Sequence, residues 1–255
     1  MTACTRLDAW VLPESESASR IRLFCFPYAG SSAQIFHAWQ QELPNEIEVS
    51  PVHLPGRGKR AREKPFTDLL ALAEVLTAEL SPHVDKPYAL FGHSVGATVA
   101  FEVARAFRRE GLPLPLHLFV SGCRAPQLSH TRDRSYDLPT GNLIGRLREL
   151  NGTPSEILES LAMEFFLPII RADLQMIQTY NYSVEAPLSC PISAFGGWQD
   201  LAEPLEMISA WREQTTSSFQ RQMFAGDHFF LHSEHDHLLQ TISQQLSEFI
   251  DATSL

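Results

Sequence analysis

Apolar residues in this chain come in short, dense runs separated by turn-forming residues. A first apolar patch is Ala9-Trp10-Val11-Leu12-Pro13. The run from Arg20 to Pro27 is nearly all apolar, the pattern of a strand buried on both faces. It stops at a small-residue turn, Pro27-Tyr28-Ala29-Gly30-Ser31-Ser32. Similar runs predict strands at 46–56, 87–94, 114–122, 190–197 and 217–224. Between them the apolar spacing turns helical. One helix is predicted over 67–76 with Thr67 as its cap. Another covers 97–111, ending at Gly111 with Arg105, Arg108 and Arg109 near its C-terminus. Shorter and longer helices follow at 204–211 and 234–250. Strands alternating with helices predict an α/β protein with a mostly parallel central sheet flanked by helices.

The alternation breaks between about 127 and 185. Residues 127–145 are polar and turn-rich, whereas 154–180 carry more apolar side chains than one core-facing stripe needs. Among them are Leu158, Leu161, Phe165, Phe166, Leu174 and Ile177. The pattern predicts one domain over 1–255 with a helical insertion at about 127–185. The surplus either lines a pocket for an apolar substrate or packs on the parent core.

Composition narrows the classes. Of 255 residues, 44% are hydrophobic and 20% charged, enough apolar material for a sizeable core. A net charge of −10 without a basic run speaks against a nucleic-acid partner. The N-terminus lacks a basic start followed by an apolar stretch, and no apolar run approaches the roughly 18 residues of a membrane span. No membrane partner is expected. Cys4, Cys25, Cys123 and Cys190 lie far apart with no metal-ligand spacing, so buried free thiols, no metal and a cytoplasmic location are expected.

The strongest local signal is Gly92-His93-Ser94-Val95-Gly96 between a predicted strand and a predicted helix. A serine there sits on a tight elbow at the sheet edge, with glycines where side chains would clash, as in the α/β-hydrolase fold. Ser94 is therefore the candidate nucleophile. A hydroxyl needs a base. His228 is chosen from ten histidines because it follows the last strand and precedes the final helix; His232, His235 and His237 fall in or near that helix and are expected to face solvent. Asp200, after the strand at 190–197, is the candidate acid, while Asp227 reads as a turn residue. Backbone N–H donors for an oxyanion are expected from Val95 and from Ala29, with Tyr28 as an alternative to Ala29.

Taken together, several stretches resemble the type II thioesterases, stand-alone editing enzymes of polyketide and nonribosomal peptide synthesis. They are Phe26-Pro27-Tyr28-Ala29-Gly30-Ser31-Ser32, Leu54-Pro55-Gly56-Arg57, Gly92-His93-Ser94-Val95-Gly96-Ala97, Ser121-Gly122-Cys123-Arg124-Ala125-Pro126, Arg171-Ala172-Asp173, Gly197-Trp198-Gln199-Asp200 and Gly226-Asp227-His228-Phe229-Phe230. The family often has glycine where Ser31 stands and arginine where Cys123 stands. The resemblance implies an α/β-hydrolase fold in which the insertion is a lid. It also implies hydrolysis of acyl thioesters on the phosphopantetheine arm of acyl or peptidyl carrier proteins, through an acyl-enzyme on Ser94. No cofactor is implied beyond that arm, which belongs to the substrate, and a monomer is expected. Arg57, Lys59, Arg60 and Arg62 form either a carrier-docking patch or a solvated loop. A carboxylester or peptide hydrolase on the same fold, an inactive carrier-binding module, and acyl transfer to an acceptor other than water remain open.

Overall fold

The computed structural model describes residues 10–11, 19–128, 134–150, 158–160 and 163–252. Six strands form one sheet: β1 (Ile21–Phe26), β2 (Ile47–Pro51), β3 (Tyr88–His93), β4 (His117–Ser121), β5 (Ile192–Gly197) and β6 (Phe219–Phe224). Their order is β2-β1-β3-β4-β5-β6 and every pairing is parallel. The four inner strands are buried at every position, which is why they read as unbroken apolar runs. β6 lies at an edge and exposes Gln220 and Arg221. The chain steps from β1 outward to β2, then returns past β1 to β3. That reversal leaves a crevice beyond the C-terminal ends of β1 and β3, where ligands gather in such sheets.

Helices cover both faces. On one side lie α2 (Leu69–Leu80) and α3 (Val95–Arg109); on the other, α1 (Trp39–Glu42) and the closing α8 (His235–Ala252). The cap of α2 is Asp68, not the expected Thr67. Asp68 keeps extended backbone and its carboxylate accepts the Ala71 N–H at 3.0 Å, so the helix begins after it. α3 starts two residues earlier than its periodicity predicts, directly after Ser94. It is buried from Val95 through Phe107. Of the first apolar patch, Trp10 and Val11 are described, and both are buried.

Between β4 and β5 the chain forms α4 (Thr140–Leu150) and α5 (Met163–Gln178). Leu158, Met163 and Ile170 make a small cluster of their own with Ile144, Leu147, Leu167 and Leu174. Phe165 stays exposed, so the apolar surplus is only partly core. Residues 151–157 and 161–162 of the predicted helical stretch lie outside the described residues. Two short helices, α6 (Leu205–Ser209) and α7 (Phe230–Ser233), follow β5 and β6.

Cys25, Cys123 and Cys190 are buried free thiols; Cys4 lies outside the described residues. Burial pushes the Cys123 and Cys190 thiols up to about 12. Among the described residues no helix is long and apolar enough to cross a membrane.

Candidate active site

The elbow at Ser94 follows from sterics. Ser94 has φ 54° and ψ −125°, and it is the one non-glycine among the described residues with a positive φ. Such strain persists only where the surroundings over-determine it. Here the Ser94 N–H is held by the Ser121 carbonyl at 2.8 Å and α3 begins at the next residue. A Cβ on Gly92 would lie 2.1 Å from the Gly96 carbonyl oxygen, and one on Gly96 would lie 2.3 Å from that of Phe26. Both glycines let the helix start against the strand ends, so the Ser94 side chain stands in the crevice beyond β1 and β3.

Three side chains from three loops meet there. His228 follows β6, and its Nε2 lies 3.1 Å from Ser94 Oγ. Its Nδ1 lies 2.7 Å from Asp200 Oδ2, on the loop after β5. The other Asp200 oxygen accepts the N–H groups of Ala202 and Glu203 at 3.0 and 3.1 Å. Burial raises the Asp200 carboxyl, but the His228 hydrogen bond and charge, with the two amides, outweigh burial and hold it below the ordinary carboxylate range. An ionised Asp200 accepts only, so the neutral form of the imidazole carries its proton on Nδ1 and turns a bare Nε2 to Ser94. Asp227 instead accepts the Phe229 N–H at 2.8 Å, as a turn residue does. His232 meets the Tyr28 hydroxyl at 3.0 Å, His235 contacts Glu42, and His237 meets Gln222 at 3.2 Å; His232 and His237 are exposed and His235 is partly buried.

The turn after β1 stands beside this group. Its Ser31 N–H and hydroxyl both donate to the Tyr28 carbonyl, at 3.1 and 2.7 Å. The Gly30 N–H donates to Asp173 Oδ2 at 2.8 Å. The two backbone donors expected for an oxyanion, Ala29 and Val95, thus sit on this turn and on the first residue of α3.

A pocket of about 930 Å³ opens at Ser94 and His228. Leu143 and Leu147 of α4, Leu174 and Ile177 of α5, and Met207 give it an apolar wall. The insertion therefore contributes pocket surface as well as packing. Arg124 and Glu203 also line it, joined through Arg124 N and Nε to the Glu203 carboxylate at 2.9–3.1 Å. No local pattern marks this pair, whose members are 79 residues apart. Also unmarked is His93, fully buried behind Ser94, with Nδ1 2.9 Å from Ser121 Oγ. Burial first, and then the neighbouring His228, hold His93 well below the ordinary histidine range, so it stays neutral.

The basic loop divides. Arg57 is buried against Asp173, and Arg60 pairs with Glu63 and stacks over Trp10, while Lys59 and Arg62 are exposed. The loop is therefore not wholly solvated. Among the described residues one trio at the surface, exposed Glu42 and Asp236 with partly buried His235, has ligand atoms within 4.8 Å of one another; it shares no residue with the Ser94 group.

A family model described as a thioesterase domain matches residues 21–246. The chain is 42% identical to the linear gramicidin dehydrogenase LgrE of Brevibacillus parabrevis, covering 94% of each. It is 40% identical to the gramicidin S biosynthesis protein GrsT of Aneurinibacillus migulanus, over 96% of this chain and 97% of that one. The structure resembles that of BorB, the type II thioesterase from the borrelidin biosynthetic cluster. That match has a TM-score of 0.87 and 36% identity, over 95% of this chain and 99% of that one.

Proposed function

The chain belongs to the thioesterase family, and we propose that it hydrolyses acyl thioesters held on the phosphopantetheine arm of acyl or peptidyl carrier proteins. The solved structures it resembles include type II thioesterases of the borrelidin and yersiniabactin pathways, and the chain is a serine hydrolase acting on thioesters. The observation that carries the finer reading is the unbroken contact Asp200–His228–Ser94 at the mouth of a pocket large enough for an acyl chain.

In this reading His228 Nε2 takes the Ser94 proton as Oγ adds to the thioester carbonyl. The tetrahedral oxyanion is held by the N–H groups of Ala29 and Val95, and the imidazolium by Asp200. Collapse breaks the carbon–sulfur bond, leaves the acyl group on Ser94 and releases the pantetheine thiol. A thiolate leaves far more readily than an amine, so proton donation to it asks less of His228 than peptide cleavage would. Water, deprotonated by His228, then adds to the acyl-enzyme and frees the carboxylic acid. The enzyme needs no cofactor of its own, works as a cytoplasmic monomer, and serves its synthase by clearing unproductive acyl groups. α4 and α5 act as the lid over the acyl pocket.

A panel of acyl-loaded carrier proteins, analysed by mass spectrometry after incubation with the enzyme, tests this. The expected result is loss of the acyl mass with wild type and its retention with Ser94→Ala. Turnover by Ser94→Ala would refute the mechanism. A large preference for oxygen esters in kcat/KM would favour a carboxylesterase instead, and an acylated acceptor in place of free acid would favour transfer.

A further inference from the structure

We propose that Asp173, on the helix that walls the acyl pocket, is a positioning residue that sets the oxyanion turn, so that the Ala29 donor is correctly aimed only while α5 is seated on that turn. The inference rests on the reading of Ser94 as the acylated residue and of Ala29 as an oxyanion donor.

Two neighbouring peptide planes are fixed by different partners. The Ala29 N–H shares a plane with the Tyr28 carbonyl and points opposite to it. That carbonyl is anchored by the Ser31 amide and hydroxyl. The next plane carries the Gly30 N–H, anchored by Asp173 Oδ2 at 2.8 Å. With both planes held, the direction of the Ala29 N–H is set from either side. The second anchor comes from 143 residues away, on α5. Ile170, one helical turn before Asp173, lies against the same glycine: a Cβ on Gly30 would be 2.5 Å from Ile170 Cγ1, and Gly30 has φ +76°. Asp173 and Ile170 thus dock α5 on the turn as a pair, while Leu174 and Ile177 of the same helix line the pocket.

Charge makes the arrangement specific. A bare carboxylate beside developing negative charge would oppose the transition state. Asp173, 1% exposed, is instead met by a bidentate fork from Arg57, Nη1 to Oδ2 at 2.6 Å and Nη2 to Oδ1 at 2.7 Å. Arg57 also donates to the Ser31 carbonyl at 3.3 Å and the Pro55 carbonyl at 3.4 Å. The pair therefore joins the oxyanion turn, the loop after β2 and α5 without leaving net charge in the site. An acyl group that packs against Leu174 and Ile177 acts on the same helix that holds the oxyanion donor. Acyl recognition is in this way linked to kcat, beyond its part in binding.

Thiol release from an acyl N-acetylcysteamine thioester tests the proposal, with rates divided by the Ser94 sites titrated to completion with a fluorophosphonate. Inhibition by an alkyl boronic acid, which mimics the tetrahedral intermediate, is measured alongside. Asp173→Ala is expected to lower kcat per titrated site about ten- to hundredfold, less than the roughly 10²- to 10³-fold cost of losing an oxyanion donor outright, because the donor is misaimed and not removed. The boronate inhibition constant should rise by a similar factor and KM should move less than threefold. Asp173→Asn, which still offers an oxygen to the Gly30 N–H, should lose less. A purely structural role would lower the unfolding temperature and the titrated fraction, leaving the per-site rate and boronate affinity alone. A per-site kcat within twofold of wild type would overturn the proposal, as would a loss confined to KM. If Asp173→Ala does not fold, Asp173→Asn and Arg57→Lys are judged by the same per-site and boronate criteria. Ser94→Ala separates the two levels. Turnover without Ser94 overturns the underlying reading; an inert Ser94→Ala beside a normal Asp173→Ala overturns this inference alone.

Discussion

Asp200 grips His228 with one carboxylate oxygen and its own loop with the other: Oδ2 lies 2.7 Å from Nδ1, and Oδ1 accepts the Ala202 and Glu203 amides. The imidazole is thereby fixed in tautomer and in place. Asp200→Asn keeps the shape but lets the opposite tautomer form. Its kcat for thioester hydrolysis is expected to fall about 10³- to 10⁴-fold, with KM changed only a few-fold. Steady-state thiol release is the measurement, and a loss below tenfold would contradict the assignment.

His117 predicts how stability follows pH. Its ring stacks on Phe119, and Ser193 Oγ lies 2.9 Å from Nε2 while donating to Gln245, so Nε2 carries the proton and Nδ1 is left without a partner. Burial pushes this histidine down to about 4. Between about 6.5 and 4 the unfolded chain binds a proton that the folded chain refuses, so stability falls as pH drops through that window. From pH 7 to pH 5 the contribution is about 2 kcal/mol. Urea unfolding at both pH values should show wild type losing more stability than His117→Phe by about that amount. Equal losses would show that His117 does not titrate as described.

Gly96 separates tight packing from helix propensity. A Cβ there meets the backbone oxygens of Phe26 and Pro27, at 2.3 and 2.7 Å, which lead straight into the turn after β1. Gly96→Ala should cost about 3 kcal/mol or more and lower the per-site kcat as well. Gly145, in α4, has open space where its Cβ would stand. Gly145→Ala should raise stability by about 0.5–1 kcal/mol. Thermal unfolding of the two variants in parallel checks both signs.

Leu174 lines the pocket from α5. Leu174→Trp should shorten the longest acyl chain handled well, lowering kcat/KM for long relative to short chains by about tenfold or more. A series of acyl thioesters of increasing length measures this, and an unchanged ratio would place the acyl chain elsewhere.

What could be read from the sequence was what is local. Inner strands such as β1 and β3 are buried on both faces, so their side chains need no alternation and stand out as apolar runs. Ser94, Asp200 and His228 each follow a strand end, and the structure brings those ends together. Cap positions were legible only to within a residue, because Thr67 and Asp68 can both cap and backbone geometry decides between them. Pairs distant in the chain were not legible. Arg57 sits in a basic stretch and looks solvated; its partner Asp173 is 116 residues away inside a helical pattern. Arg124 and Glu203 lie on either side of β5, and only the fold makes them neighbours.

The buried cysteines bear on an enzyme that handles acyl thioesters and frees thiols. Cys123 borders the pocket, yet with its thiol pushed up to about 12 only about one molecule in 10⁵ is a thiolate at neutral pH. Acyl groups cannot readily migrate from substrate sulfur to Cys123, and a released substrate thiol meets no exposed thiol among Cys25, Cys123 and Cys190. These three thiols are thus insulated from the chemistry beside them: sulfur leaves the site as a leaving group, and none of the three stands ready to receive the acyl chain.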